Sequence, residues 1–227
     1  MARSDNPASP RSRRVNRAFF ITVLAVTAAL ILAAIFIPLG VFLSRGEVMI
    51  SYGSVTVRRD LYLYWLSAYK YSYLVSAVRT DPSAADTPAF WAGETEAGIT
   101  RAEEARAAAD RWIGRIVFAA AFFEDGGETL SAKERSGAEE VHRRLLQYDL
   151  NTERAYNAAA KKIGFTYRTV RRALLCQSEA DAYVSAMSDE DFNTFCALAA
   201  REVSTRAAAG KIDFASLPTD NRLYAAD

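Results

Sequence analysis

The sequence predicts a mainly α protein: a single N-terminal transmembrane helix, then one helical domain with a short β-hairpin or strand pair at its start. Three observations predict it. An uncharged run fills Ala18 to Ser44. Capping boxes and apolar stripes at spacings of three and four recur from Thr100 to Val203. The stretch EVMISYGSVTV, β-branched and apolar on both sides of Tyr52-Gly53, precedes the first helix of the domain.

A bilayer core of about 30 Å takes about 20 apolar helical residues, and Ala18 to Ser44 supplies 27, with Pro38 placed to kink the outer end. Arg3, Arg11, Arg13, Arg14 and Arg17 precede the run against Asp5 alone, so the N-terminus is expected to stay cytoplasmic. Residues 1–17 are then a cytoplasmic tail, 18–44 the span, 46–209 an extracytoplasmic helical domain and 210–227 a C-terminal tail. A cleaved signal peptide also starts basic. Its apolar region is about 7 to 15 residues and ends in small residues, whereas this one is longer and closes on Val41-Phe42-Leu43. A retained anchor is therefore expected, and with no cysteine nearby, no lipid at the N-terminus.

Six of the 28 Lys and Arg but one of the 27 Asp and Glu precede Gly46, so the outer part is acidic by four charges. No basic field recommends a nucleic-acid partner. Cys176 and Cys196, alone and in helical sequence, read as reduced core thiols rather than as a disulfide framework.

The first helix of the domain is expected over Asp60 to Arg79, and between those ends its one charge is Lys70. Tyr62, Trp65, Leu66, Tyr69 and Tyr73 share one face, and Tyr64, Tyr71, Val75 and Val78 share the opposite one. A helix apolar all round must be covered on more than one side. Three explanations stand: a second span, which five tyrosines and Lys70 disfavour; a central core helix; and a helix with one face in the core and one lining a groove for an apolar partner. Asp81 to Gly98, with Pro82, Pro88, Gly93 and Gly98, reads as a loop that Phe90 and Trp91 pin to the domain.

Thr100 and Glu103 form a capping box that opens a helix with its stripe at Ala105, Ala109, Trp112, Ile116, Ala120 and Phe123, stopped by Gly126-Gly127. Ser131 and Glu134 open the next, with Ala138, Val141, Leu145 and Tyr148 inward and Glu139–Arg143 and Glu140–Arg144 as i,i+4 pairs on the wet face. Further helices are expected from Thr152 to Ile163, from Thr166 to Met187 and from Ser188 onward. Past Gly210 the chain looks extended, and Ile212, Phe214 and Leu217 could dock a strand.

No constellation supports catalysis, so no catalytic, cofactor-binding or metal-ligating residue is assigned. His142, the one histidine, lies among helical carboxylates and arginines and reads as a solvated surface residue. One His and two distant Cys cannot close a tetrahedral metal site. The glycines form no phosphate loop, and Ser188-Asp-Glu-Asp191 is a helix start.

SVTVRRDLYLYWLSAYKYSYL resembles the start of the N-terminal domain of SurA/PrsA-type extracytoplasmic foldases, where a short strand pair leads into a Tyr- and Phe-rich helix. NTERAYNAAAKKIGFTYRTVRRALLCQSEADAY resembles that domain's paired helices, through Ala155-Tyr156, Gly164-Phe-Thr166 and Arg171-Arg172-Ala173-Leu174. The similarity reaches from about residue 47 to 186 and rests on helical patterns. It implies a chaperone module that holds unfolded or secreted polypeptides, with Tyr64, Tyr71, Val75, Phe90 and Trp91 as client contacts and no cofactor. A non-catalytic scaffold that binds one protein of an envelope complex is the alternative. Such foldases often carry a parvulin-type prolyl isomerase. Here only 40 residues follow Met187, without histidine or αβ alternation, so isomerase activity is not expected.

Overall fold

A computed structural model describes residues 46–146 and 150–224. The expected span and cytoplasmic tail lie outside the described residues, as does Tyr148. The chain divides after Gly46 into two units, and the second is mainly helical with strands at its start. No helix among the described residues is long and apolar enough to cross a membrane.

Strands β1 (Val48–Tyr52) and β2 (Val55–Arg58) pair antiparallel across a turn at Gly53, whose φ of 52° suits glycine. An irregularity in register between Val48 and Ile50 lets the adjacent Met49 and Ile50 both turn inward. On the other edge β1 receives a short strand, β3 (Ser204–Thr205), giving the order β2-β1-β3. That strand lies upstream of the residues expected to dock one.

Helix α1 (Arg59–Thr80) leaves β2 without a loop. Leu61 through Ser67 are buried on every side, as is Lys70, so the first half of α1 is the central helix that its all-round apolarity demands. The loop that follows contains a helix the sequence reading missed, α2 (Pro88–Ala92), in which the Thr87 hydroxyl accepts from Phe90 N at 3.2 Å. Thr-Pro is an N-cap followed by the one helical position that tolerates proline, and it was read as a breaker.

Helix α3 (Arg101–Asp125) opens with the expected Thr100–Glu103 box and buries more than its stripe. It packs against α1, against both long strands, and most extensively against α6 (Tyr167–Val184). Helix α4 (Ala132–Arg144) has its Ser131–Glu134 box. His142 corrects the surface reading: it is 7% exposed, its Nε2 lies 2.8 Å from Tyr167 O, and its ring stacks on Tyr167 at 3.7 Å. Glu139 likewise pairs with Arg171 of α6 rather than with Arg143, which joins Arg144 on Glu140. Both corrections have one cause, the packing of α4 on α6, which buries His142 and brings Glu139 within reach of Arg171.

Helix α5 (Glu153–Ala160) ends in a turn at Gly164, where φ is 111° and an added Cβ would meet Leu63 Cδ1 at 2.8 Å. Gly164→Ala should therefore cost about 1–3 kcal/mol, by backbone strain and crowding of α1, measured as a lowered urea midpoint. Helix α7 (Asp189–Glu202) packs on α3. Helix α8 (Ala207–Gly210) follows β3, and an irregular segment then runs to a 3₁₀ turn at Asn221–Leu223. Cys176 and Cys196 are unpaired. Burial pushes the Cys176 thiol up to about 12, with Glu179 and Glu124 adding to the shift.

Candidate functional site

The chain's own residues 207–224 cover part of the face of α1 expected to meet a partner, at Tyr64 and Tyr71, while Val78 on that face is 40% exposed. Two cations and a phenol hold this strap, and each does so through main-chain carbonyls. Lys70, 1% exposed, donates from Nζ to Ala215 O at 2.8 Å and to Leu217 O at 2.7 Å. Its third direction is taken by Asp86 Oδ1 at 2.9 Å, and the Trp91 ring lies 5.0 Å from the ammonium. An ammonium has three donors, so this buried charge is fully satisfied. That is the condition under which a protein interior keeps one.

Asp86 ties the strap to α2. Its Oδ1 also accepts from Trp91 Nε1 at 2.6 Å, and its Oδ2 from Thr219 Oγ1 at 2.8 Å. Burial alone would raise this carboxyl. Hydrogen bonds from Trp91, Lys70 and Thr219, with the Lys70 charge, outweigh burial and hold it below the usual carboxylate range. A carboxyl whose folded value is depressed contributes stability that is complete above its unfolded value, about 3.9, and is lost as pH falls through the folded one. Thermal unfolding followed by near-ultraviolet circular dichroism should show a steeper loss below about pH 4 in the natural protein than in Asp86→Asn. The difference between the two curves isolates Asp86 from the other carboxylates.

Arg106, at the second turn of α3, holds the start of the strap. Its Nη1 donates to Ile212 O at 2.9 Å and its Nη2 to Ala209 O at 2.7 Å. Asp110 Oδ2 braces Nε at 2.9 Å, and Tyr62 Oη accepts from Nη2 at 2.7 Å while donating to Asp110 Oδ1. At the far end Tyr156, fully buried on α5, donates from Oη to Leu223 O at 2.6 Å. Five strap carbonyls thus accept from side chains fixed in the domain.

Side chains of the strap fill the remaining space. Phe214 meets Trp91 edge to face at 5.5 Å, and Leu217 and Leu223 are buried. Tyr224 stacks on Tyr71 at 5.3 Å and lies 6.3 Å from Tyr64.

The five expected contact residues therefore divide. Tyr64, 5% exposed, sits edge to face on Phe165 at 5.3 Å, and burial raises its phenol. Tyr71 is half-buried under Tyr224. Trp91 is fully buried, between Tyr73 at 5.7 Å and Phe90 at 4.9 Å. Phe90 is half-buried beneath the Arg101 guanidinium at 4.9 Å, and Val75 is half-buried apart from these groups. Phe90 borders an open cleft, of about 350 Å³, which Tyr73, Ala77, Ala84 and Arg101 also line.

Sequence reasoning named Lys70 as the one charge within an apolar helix and assigned it no partner, and it missed Arg106, Asp86 and Tyr224. The signal for Lys70 was present. A lone cation inside a helix that is covered all round has to find polar partners, but Asp60 and Asp81 are nearer in sequence than Asp86, so the sequence does not choose among them. Among the described residues no three His, Cys, Asp or Glu gather where a metal ion could sit. The chain matches no protein-family model, no curated protein and no solved structure.

Proposed function

We propose that this protein is a membrane-anchored, extracytoplasmic, chaperone-like module that holds unfolded or secreted polypeptides, akin to the N-terminal domain of SurA/PrsA-type foldases. The anchor is Ala18 to Ser44, and the domain from Gly46 onward stands on the outer face.

One observation carries the reading. The aromatic helix and its neighbours already hold an irregular polypeptide segment, and they do so mainly through its carbonyls. Every polypeptide has those carbonyls, so this mode of holding is tolerant of sequence. Ring contacts of the strap with Trp91 and Tyr71 add preference for aromatic or aliphatic side chains. No cofactor is implied. Purified residues 46–227 at a few-fold molar excess should suppress the aggregation of a chemically unfolded client, measured by light scattering. No suppression at excess overturns the proposal.

The second reading is a scaffold that binds one protein of an envelope complex. The burial of Tyr64 and Trp91 favours it, because those residues then shape a fixed surface instead of an open groove. Photocrosslinking in cells from Phe90 separates the two. Many secreted chains in the adduct support holding, and one dominant partner supports the scaffold.

A further inference from the structure

We infer that residues 207–224 are a resident, exchangeable ligand: the track formed by Lys70, Arg106 and Tyr156 is a polypeptide-binding site that the chain fills with its own strap until an apolar stretch of an unfolded chain takes its place. This rests on the holding function proposed above and supplies its regulation.

The argument starts from how the strap is attached. An ordinary docked terminus joins a sheet or buries a helix face. From Lys211 to Asp220 this one does neither, and its backbone has only local turn bonds of its own, such as Ile212 N to Ala209 O and Leu217 N to Phe214 O. Its carbonyls would be costly to bury unpaired, and the domain supplies the donors. Those donors are prepared without the strap: Asp110 and Tyr62 fix the Arg106 fork, and Asp86 with the Trp91 ring receives Lys70. The site is therefore built for a main chain, while the strap's side chains add apolar fillings and one hydroxyl.

An invading chain with apolar residues in the places of Phe214, Leu217 and Tyr224 can satisfy the same donors. The exchange then conserves the five hydrogen bonds to main-chain carbonyls and gives up the Thr219 bond to Asp86, so its free energy is set by the difference in apolar filling and by that one bond. Covalent attachment gives the strap an effective concentration on the order of millimolar. A client in free solution has to compete with that, so holding is weak and sequence-tolerant and strengthens where unfolded chain is locally abundant.

The test uses the full chain in detergent micelles with a protease site inserted between Arg206 and Ala207, cut after folding so that the strap is retained only by contacts. A fluorescein-labelled peptide of residues 207–227 should exchange into the cut protein, read by anisotropy. A reduced, carboxymethylated, permanently unfolded protein should displace it. Lys70→Met should weaken the labelled peptide about tenfold or more.

Where the cut protein loses its fold, amide hydrogen exchange on the uncut chain gives the same reading: residues 211–224 should exchange several-fold faster when the unfolded competitor is added, with α3 unchanged. If the competitor is kept from aggregating yet the labelled peptide stays bound and the strap amides are unaffected, the inference is overturned and the holding function stands. If the competitor neither displaces the peptide nor is kept soluble, both fall.

Discussion

Lys70→Met should destabilise the domain by about 2–4 kcal/mol, read as a fall in the urea midpoint with little change in slope. Methionine keeps most of the aliphatic stem, so the loss is that of the ammonium. Three groups are stranded together: the Asp86 carboxylate and the carbonyls of Ala215 and Leu217. The two carbonyls carry most of the cost, because each is left without a donor, whereas the Asp86 side chain is 28% exposed and water solvates part of its charge. A second change follows from this. Lys70→Met with Asp86→Asn should recover part of the loss, since the stranded charge is gone. A single variant within 1 kcal/mol of the natural protein would mean that the strap carbonyls are solvated and the clasp is not closed.

Trp91→Ala should cost a similar amount, about 3–5 kcal/mol, for a different reason. It removes a fully buried ring that Tyr73, Phe90 and Phe214 surround and leaves a cavity beneath the strap. Trp91→Phe separates packing from the polar contact. It keeps most of the volume and loses the 2.6 Å bond to Asp86, for which about 1.5–3 kcal/mol is expected. The same pair of variants tests the role first assigned to Trp91. A residue that touched clients would lose holding with stability intact, whereas a structural tryptophan loses stability first. Because Lys70 and Trp91 share Asp86, the double variant should fall short of the sum of the singles by about 0.5–3 kcal/mol.

Much of the fold was legible because its signals are local. Both Ser/Thr–Glu capping boxes stand where the spacing puts them, and so do the hairpin turn at Gly53 and the central position of α1. These depend on residues three or four apart, or on a helix with no polar side. What was not legible depends on partners far along the chain. His142 looked solvated because its neighbours in sequence are charged, yet its environment is set by Tyr167, twenty-five residues on. Glu139 was assigned to Arg143 by spacing and goes to Arg171 by packing.

The site divides the same way. Apolarity on two faces of α1 told that each must be covered, and the strap proved to be a cover. Which residues cover it could not be read, because a carbonyl carries no signature in a sequence. The expected dock of Ile212, Phe214 and Leu217 had the right place and the wrong form, since side-chain donors, and not a strand, satisfy that backbone.

The pairing of β1 with β3 joins residues about 155 positions apart, Ile50 with Thr205. Contacts of such long range slow folding, because the loop they close has to be ordered first. The sheet cannot be completed until residues 204–205 have been made. Until then the tyrosines of α1 stand without their cover, so the newly made protein passes through a stage in which it resembles the chains it is proposed to hold.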